Sequence, residues 1–172
     1  MALPDIATPT YTLTVPSTKK KVKYRPFLVK EQKVLIVALE NEDSEQILDA
    51  ITTTIQNCLI TKTKVEDLAL FDIEYLFLQI RARSIGEELE VKVTCQDDME
   101  TTVDVKFLVN DIKVTFPKGH TNIIKLNDDI TVEMRYPDLE YFAKVNFTGG
   151  EPDPYDLMAK CIKRVYMGED DY

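Results

Sequence analysis

The hydrophobic period of this chain changes at Gly86, and that switch constrains the fold more than any other feature. From Val29 to Ser84 apolar residues recur every three or four positions, the spacing of a helix face. From Leu89 to Met134 they alternate with polar residues, the spacing of a strand with one wet side. A chain with helical and alternating segments set apart in this way is α+β, with its strands antiparallel.

The expected elements follow from that frame. Tyr11–Val15 and Lys21–Arg25 alternate around the turn Pro16-Ser17-Thr18-Lys19 and form a small N-terminal hairpin. Residues 1–10 read as an extended arm. Pro26 ends the second strand, and a short helix starts near Val29. Val34, Leu35, Val37, Ala38 and Leu39 cover so much of that helix that it should be largely buried. Asp43 with Gln46 three residues on caps a second helix, whose apolar face is Ile47, Leu48, Ile51, Ile55, Cys58 and Leu59. Thr63-Lys64-Val65-Glu66 has the same capping pattern and opens a short helix or turn. A third helix spans about Asp72–Ser84 on the stripe Ile73, Leu76, Phe77 and Ile80, with Gly86 as its left-handed stop.

Beyond Gly86, Leu89–Cys95 and Val103–Val109 make a hairpin, and Ile112, Val114 and Phe116 a further strand. Ile124 with Leu126, then Ile130, Val132 and Met134, make another hairpin around Asn127-Asp128-Asp129. The reading is an antiparallel meander. Pro137 starts a helix over Asp138–Val145, and Asn146–Gly150 breaks it. Asp153-Pro154 opens a last helix with Leu157, Met158, Cys161, Ile162 and Val165 on one side. Gly168 closes it before an acidic tail. The expected organisation is thus a hairpin and helical region at 1–86, a β-meander at 87–136 and C-terminal helices with the tail at 137–172, all one compact unit.

Composition narrows the function classes. The formal charge is −9 on 172 residues, which is unlike the net basic surface a duplex binder uses to neutralise phosphates. The three cysteines, Cys58, Cys95 and Cys161, are far apart, so neither a disulfide framework nor a zinc site is expected. The sole histidine, His120, lies in the turn Pro117-Lys118-Gly119-His120 and reads as a solvated surface residue. The acid pairs Glu87-Glu88, Asp97-Asp98 and Asp128-Asp129 fall at turns, where carboxylates are usually turn formers. Five glycines build neither a phosphate loop nor a dinucleotide fingerprint. No catalytic residue, cofactor or metal is expected, and the chain reads as a non-enzyme. It begins without a signal peptide and has no run of roughly 20 apolar residues for a membrane span. That reading makes it cytosolic where it is made, and the Asn146-Phe147-Thr148 sequon carries no meaning.

One charge asymmetry stands out. Lys19, Lys20, Lys21, Lys23, Arg25, Lys30 and Lys33 gather on the first hairpin and the next helix, opposed only by Glu31. Lys19, Lys20, Lys21, Lys23 and Arg25 are the candidate contacts for an acidic protein partner. The alternative is a nucleic-acid-binding regulator that uses the same lysine-rich hairpin, although no stacking aromatics or groove-reading motif accompany it. A hydrolase acting through turn carboxylates is a third class.

Two blocks carry a resemblance. Tyr24-Arg25-Pro26-Phe27-Leu28-Val29-Lys30-Glu31-Gln32-Lys33 running on to Glu40, and Phe71-Asp72-Ile73-Glu74-Tyr75-Leu76-Phe77-Leu78-Gln79-Ile80 running on to Glu87, resemble the T-even-type phage baseplate hub family. Ala2-Leu3-Pro4 and Pro9-Thr10-Tyr11 are similar too. The resemblance covers the first half of the chain, and its blocks read as fold signatures without chemistry. It implies a structural or assembly (chaperone) protein of the contractile tail, expressed late and acting with hub, spike and tape-measure proteins. A ring of copies is compatible with the symmetry of a hub. The implied location is the host cytoplasm during assembly, then the virion tail baseplate. Some relatives carry a close cysteine pair where this chain has Cys95-Gln96-Asp97-Asp98, so no metal ligand is carried over.

Overall fold

A computed structural model describes residues 8–41, 43–139, 153–167 and 170–171. The fold is α+β. Strands β1 (Tyr11–Thr14) and β2 (Lys21–Tyr24) form the N-terminal hairpin, followed by α1 (Val29–Glu40), α2 (Ser44–Cys58) and α3 (Leu70–Ser84). Then come β3 (Glu88–Thr94), β4 (Thr102–Leu108), β5 (Ile123–Lys125), β6 (Ile130–Met134), α4 (Pro154–Cys161), β7 (Ile162–Met167) and β8 (Asp170–Asp171).

The core belongs to the first half. Val15, Val22, Tyr24 and Phe27 from the hairpin and its exit pack with Ile55 and Cys58 of α2, Val65 and Leu68, and Ile73, Leu76 and Ile80 of α3. In the hairpin, Leu13 pairs with Val22 and Tyr11 with Tyr24, so the apolar set of both strands points inward and the lysines point out. The outer edge of β2 is closed by the chain leaving α2: Ile60 N–H donates to the Lys23 carbonyl at 2.8 Å and Arg25 N–H to the Cys58 carbonyl at 2.9 Å. Burial pushes the Cys58 thiol up to about 11, so it is a neutral packing group.

Two of the expected caps are built as the residues suggest. Asp43 accepts from Glu45 and Gln46 N–H at 2.9 and 3.2 Å, and the Gln46 amide returns to Asp43 at 3.0 Å. Asp153 accepts from Tyr155 N–H at 2.9 Å, with Pro154 opening α4. The pattern at Thr63 does not cap a helix. Gln56 of α2 takes over, accepting from Val65 N–H and donating to the Thr63 carbonyl, both at 3.1 Å, and only a 3-10 turn, Val65–Asp67, forms. Gly86 follows α3 with φ +154°, a backbone conformation that side-chain-bearing residues rarely adopt.

The second half departs from a continuous meander. β3 and β4 form a two-stranded ribbon by themselves, whereas β5, β6, β7 and β8 form a separate antiparallel sheet in that order. Ile112, Val114 and Phe116 alternate in burial with Lys113 and Thr115, but no strand among the described residues pairs with them. Their anchor is aromatic instead: Phe116 packs on Phe71 of α3, with ring centroids 6.0 Å apart. The last helix stops at Cys161, and Ile162–Met167 is a strand. Val165 faces Val132 across the β6–β7 ladder, and Lys163 reaches Glu133 at 2.7 Å. A β-branched and aromatic run with a partner strand within reach satisfies its backbone in a ladder, and that overrides a helical spacing. Asp170–Asp171 of the expected tail adds the edge strand β8. The arm over residues 1–7, the helix beyond Leu139, the breaker at 146–150 and the Gly168 stop lie outside the described residues.

The hairpin is tied to α3 through Asp72, which is fully buried. Its carboxylate accepts from Ser17 N–H at 2.9 Å and from the Ser17 hydroxyl. Asp72→Ala strands both donors at the turn, and a hydrogen bond to a charged group is worth about 2 kcal/mol. Urea denaturation should show a loss of about that size for Asp72→Ala and a smaller one for Asp72→Asn, which keeps one acceptor.

Candidate interaction surfaces

The five candidate cations are not one patch. Lys21 and Lys23 leave the outer face of β2 into solvent, opposite Thr14 and Thr12. Lys20 is exposed beside them. Lys19 sits at φ +58° in the turn, and its ammonium lies over the Phe116 ring, 4.6 Å from the centroid. Arg25 turns inward. Its guanidinium donates to Glu31 at 3.0 Å and to the Pro26 carbonyl at 2.9 Å, at the corner where strand becomes helix.

Glu31 is what organises that corner. It is 3% exposed, and besides Arg25 it accepts from Leu28 N–H at 2.7 Å, capping α1 from its third residue. Burial pushes its pKa up, but the Arg25 and Leu28 hydrogen bonds and the Arg25 and Lys30 charges outweigh it and hold the carboxyl below the usual range. The corner is clamped to α3 by Phe27 N–H, which donates to the Ser84 hydroxyl at 3.0 Å.

The lysine signal did not reveal the apolar surfaces. Helix α1 was expected to be largely buried, and it is not. Only Glu31 and Ala38 are buried, while Val29, Val34, Ile36, Val37 and Leu39 keep 68%, 49%, 46%, 55% and 61% of their surface. It contacts the other described residues along one narrow stripe, because its neighbour α2 meets one side only. An open groove of about 400 Å³ runs between α1 and α2, lined by Val34, Val37, Ala38, Ala50, Lys33 and Asp49 among others. The β3–β4 ribbon is the second such surface. Leu89 pairs with Phe107, Val91 with Val105 and Val93 with Val103, all on one face, while Glu90, Lys92, Asp104 and Lys106 occupy the other.

A cleft of about 890 Å³ lies between the Ser17-Thr18 turn, Glu66–Ala69, His120–Asn122 and the β6 end. Two pairs of its polar groups are engaged with one another. His120 Nε2 is 2.7 Å from the Tyr136 hydroxyl with the rings stacked, so this exposed histidine is held in place instead of standing free in solvent. Lys163 and the Tyr166 hydroxyl both bind Glu133 and hold its carboxyl below the usual range. Among the described residues, no three of the His, Cys, Asp and Glu side chains are arranged to hold a metal ion, and no helix is long and apolar enough to cross a membrane.

The family model described as T4 bacteriophage base plate protein matches residues 8–172. The chain belongs to this family. It is a phage baseplate structural protein of the virion tail, and membership of the family implies binding to other baseplate proteins. No curated protein and no solved structure matches it. The two resembling blocks also meet in space: Phe27 of the first binds Ser84 of the second, and Tyr24 shares the core with Ile73, Leu76 and Ile80.

The buried Arg25–Glu31 pair predicts an acid limb to stability. A carboxylate whose folded pKa is lowered contributes fully above its ordinary value of 4.5. That contribution fades as pH falls through the lowered value. Removing one partner of a buried pair costs about 3 kcal/mol. Denaturation of wild type and Glu31→Ala across a pH series should show a gap of that order at neutral pH, narrowing towards acid.

Proposed function

We propose that this baseplate protein is a hub component or hub assembly factor that acts by binding and carries out no covalent chemistry. The observation that carries the binding role is the pair of exposed aliphatic surfaces, on α1 and on the β3–β4 ribbon. Contiguous exposed apolar area of this kind on a small protein marks an interaction site. The hub assignment is supported by the resemblance of the 24–40 and 71–87 blocks to the T-even-type hub family, with spike and tape-measure proteins as further partners. Lys20, Lys21 and Lys23 give the molecule a basic edge that orients an acidic partner, since charge steers encounter more than it adds affinity. Lys19 and Arg25 contribute charge to that edge while holding Phe116 and Glu31. The site of action is the host cytoplasm while tails assemble.

Co-expression with the hub, spike and tape-measure proteins of the same phage tests this directly. Co-elution on size exclusion is expected, weakened when Lys20, Lys21 and Lys23 are changed together to glutamate. Separate elution from all three proteins would remove the hub assignment and leave baseplate membership standing. Salt-sensitive retention of nucleic acid in place of protein would favour the regulator reading.

A further inference from the structure

The two open surfaces differ in chemistry in a way that identifies a partner for each. A two-stranded ribbon is marginal in water unless a further strand or a helix packs on it. On the β3–β4 ribbon the described residues leave that place empty: Val91 and Val105 keep 40% of their surface, and Val93 and Val103 keep 48%. The face is aliphatic from Leu89 to Val93. It ends at a turn where Met99, 74% exposed at φ +57°, stands between Asp97, Asp98 and Glu100. From Glu88 to Leu108 there are six acidic residues against Lys92 and Lys106, and Lys106 is within 3.5 Å of both Glu88 and Glu90.

Helix α1 offers the complement. Lys30, Lys33, Val34 and Val37 stand at the spacing of a single helix face, and all four are exposed. That face borders the groove shared with α2. The cations of α1 are Lys30 and Lys33, in its first half, and Asp49 of α2 lies on the groove's other wall. The ribbon therefore lacks a helix and presents valines with acids, whereas α1 lacks a cover and presents valines with lysines. Two ribbons packed in parallel would join like charges at their tips, and two parallel α1 helices would do the same with cations. The mixed pairing matches apolar area on both sides and sets the acidic tip against Lys30 and Lys33.

We propose that the β3–β4 ribbon of one copy of this chain docks on the α1–α2 groove of a second copy. Valines pack on valines, and the acidic tip meets Lys30 and Lys33. The contact is heterologous, head to tail, so a pair of copies keeps one free ribbon and one free groove, and assembly proceeds to a closed ring or an open chain. The proposal rests on the reading of the chain as a binding component and is independent of the hub assignment.

Sedimentation velocity on the purified full chain over a concentration series tests it. Wild type should exceed its 19.8 kDa monomer mass, and its self-association should weaken about tenfold from low to molar salt as the charged rim is screened. A ribbon variant, Val91→Lys with Val105→Lys, and a helix variant, Val34→Glu with Val37→Glu, should each be monomeric alone. Mixed together they should form a one-to-one pair and stop there, because one intact groove and one intact ribbon remain between them. Pair formation also shows that both variants are folded. If the lysines unfold the ribbon, Val91→Thr with Val105→Thr keeps β-branched residues there and takes their place in the mixture. A monomeric wild type at every concentration overturns the proposal and leaves the binding role to other baseplate proteins. A helix variant that still self-associates overturns it in favour of ribbon-to-ribbon contact.

Discussion

The fold is held at one corner by a buried carboxylate. Pro26 cannot continue the β2 ladder, and the chain must turn within three residues to enter α1. Glu31 makes that turn stable: it accepts from the backbone it has just left, at Leu28, and from the Arg25 side chain on the strand behind it. Phe27 then bonds Ser84, so the corner is fixed to the far end of α3. At the near end of α3, Asp72 holds the Ser17 turn. The hairpin is therefore clamped to the same helix at both of its ends. The core of Tyr24, Ile55, Leu76 and Ile80 closes between these clamps.

That arrangement explains why the first half behaves as a scaffold and the second as a set of projections. Past Gly86 only Val109 and Val132 are buried apolar residues among those described. Val109 N–H bonds the Glu87 carbonyl and the Asn110 amide bonds the Glu87 carboxylate, so the ribbon is rooted at its base and, among the described residues, open along its length. A rigid root with an open shaft suits a part that meets a neighbour.

Much of this was legible in the residues. The period change at Gly86, the Asp43 and Asp153 caps and the stripe of α3 needed only local rules, because a cap or a face is decided within a turn or two. The misreadings share one cause, the absence of partner information. Ile112–Phe116 has the alternation of a strand but, among the described residues, no strand beside it. Ile162 and Val165 fit a helix face until β6 supplies a ladder. Val34–Leu39 looks like a buried helix because a sequence shows which residues are apolar and is silent on what covers them. For α1 the pattern was still informative, since a helix apolar on nearly every side has to be covered by something. For the candidate cations, proximity in sequence hid a division of labour: Arg25 holds the corner, Lys19 holds a ring, and Lys20, Lys21 and Lys23 remain for solvent or a partner.

The two faces of the β3–β4 ribbon have a last consequence. Its back sets Glu90 opposite Lys106, an ion pair at 3.5 Å, and Lys92 opposite Asp104, an alternating lattice of opposite charges across the strands. Stacking a further sheet on that side would strip water from every one of these charges, so the lattice acts as a stop. A ribbon with valines on both faces could add layer upon layer without limit, as cross-β fibrils do. With one dry side and one ionic side, whatever covers the valines also completes the stack.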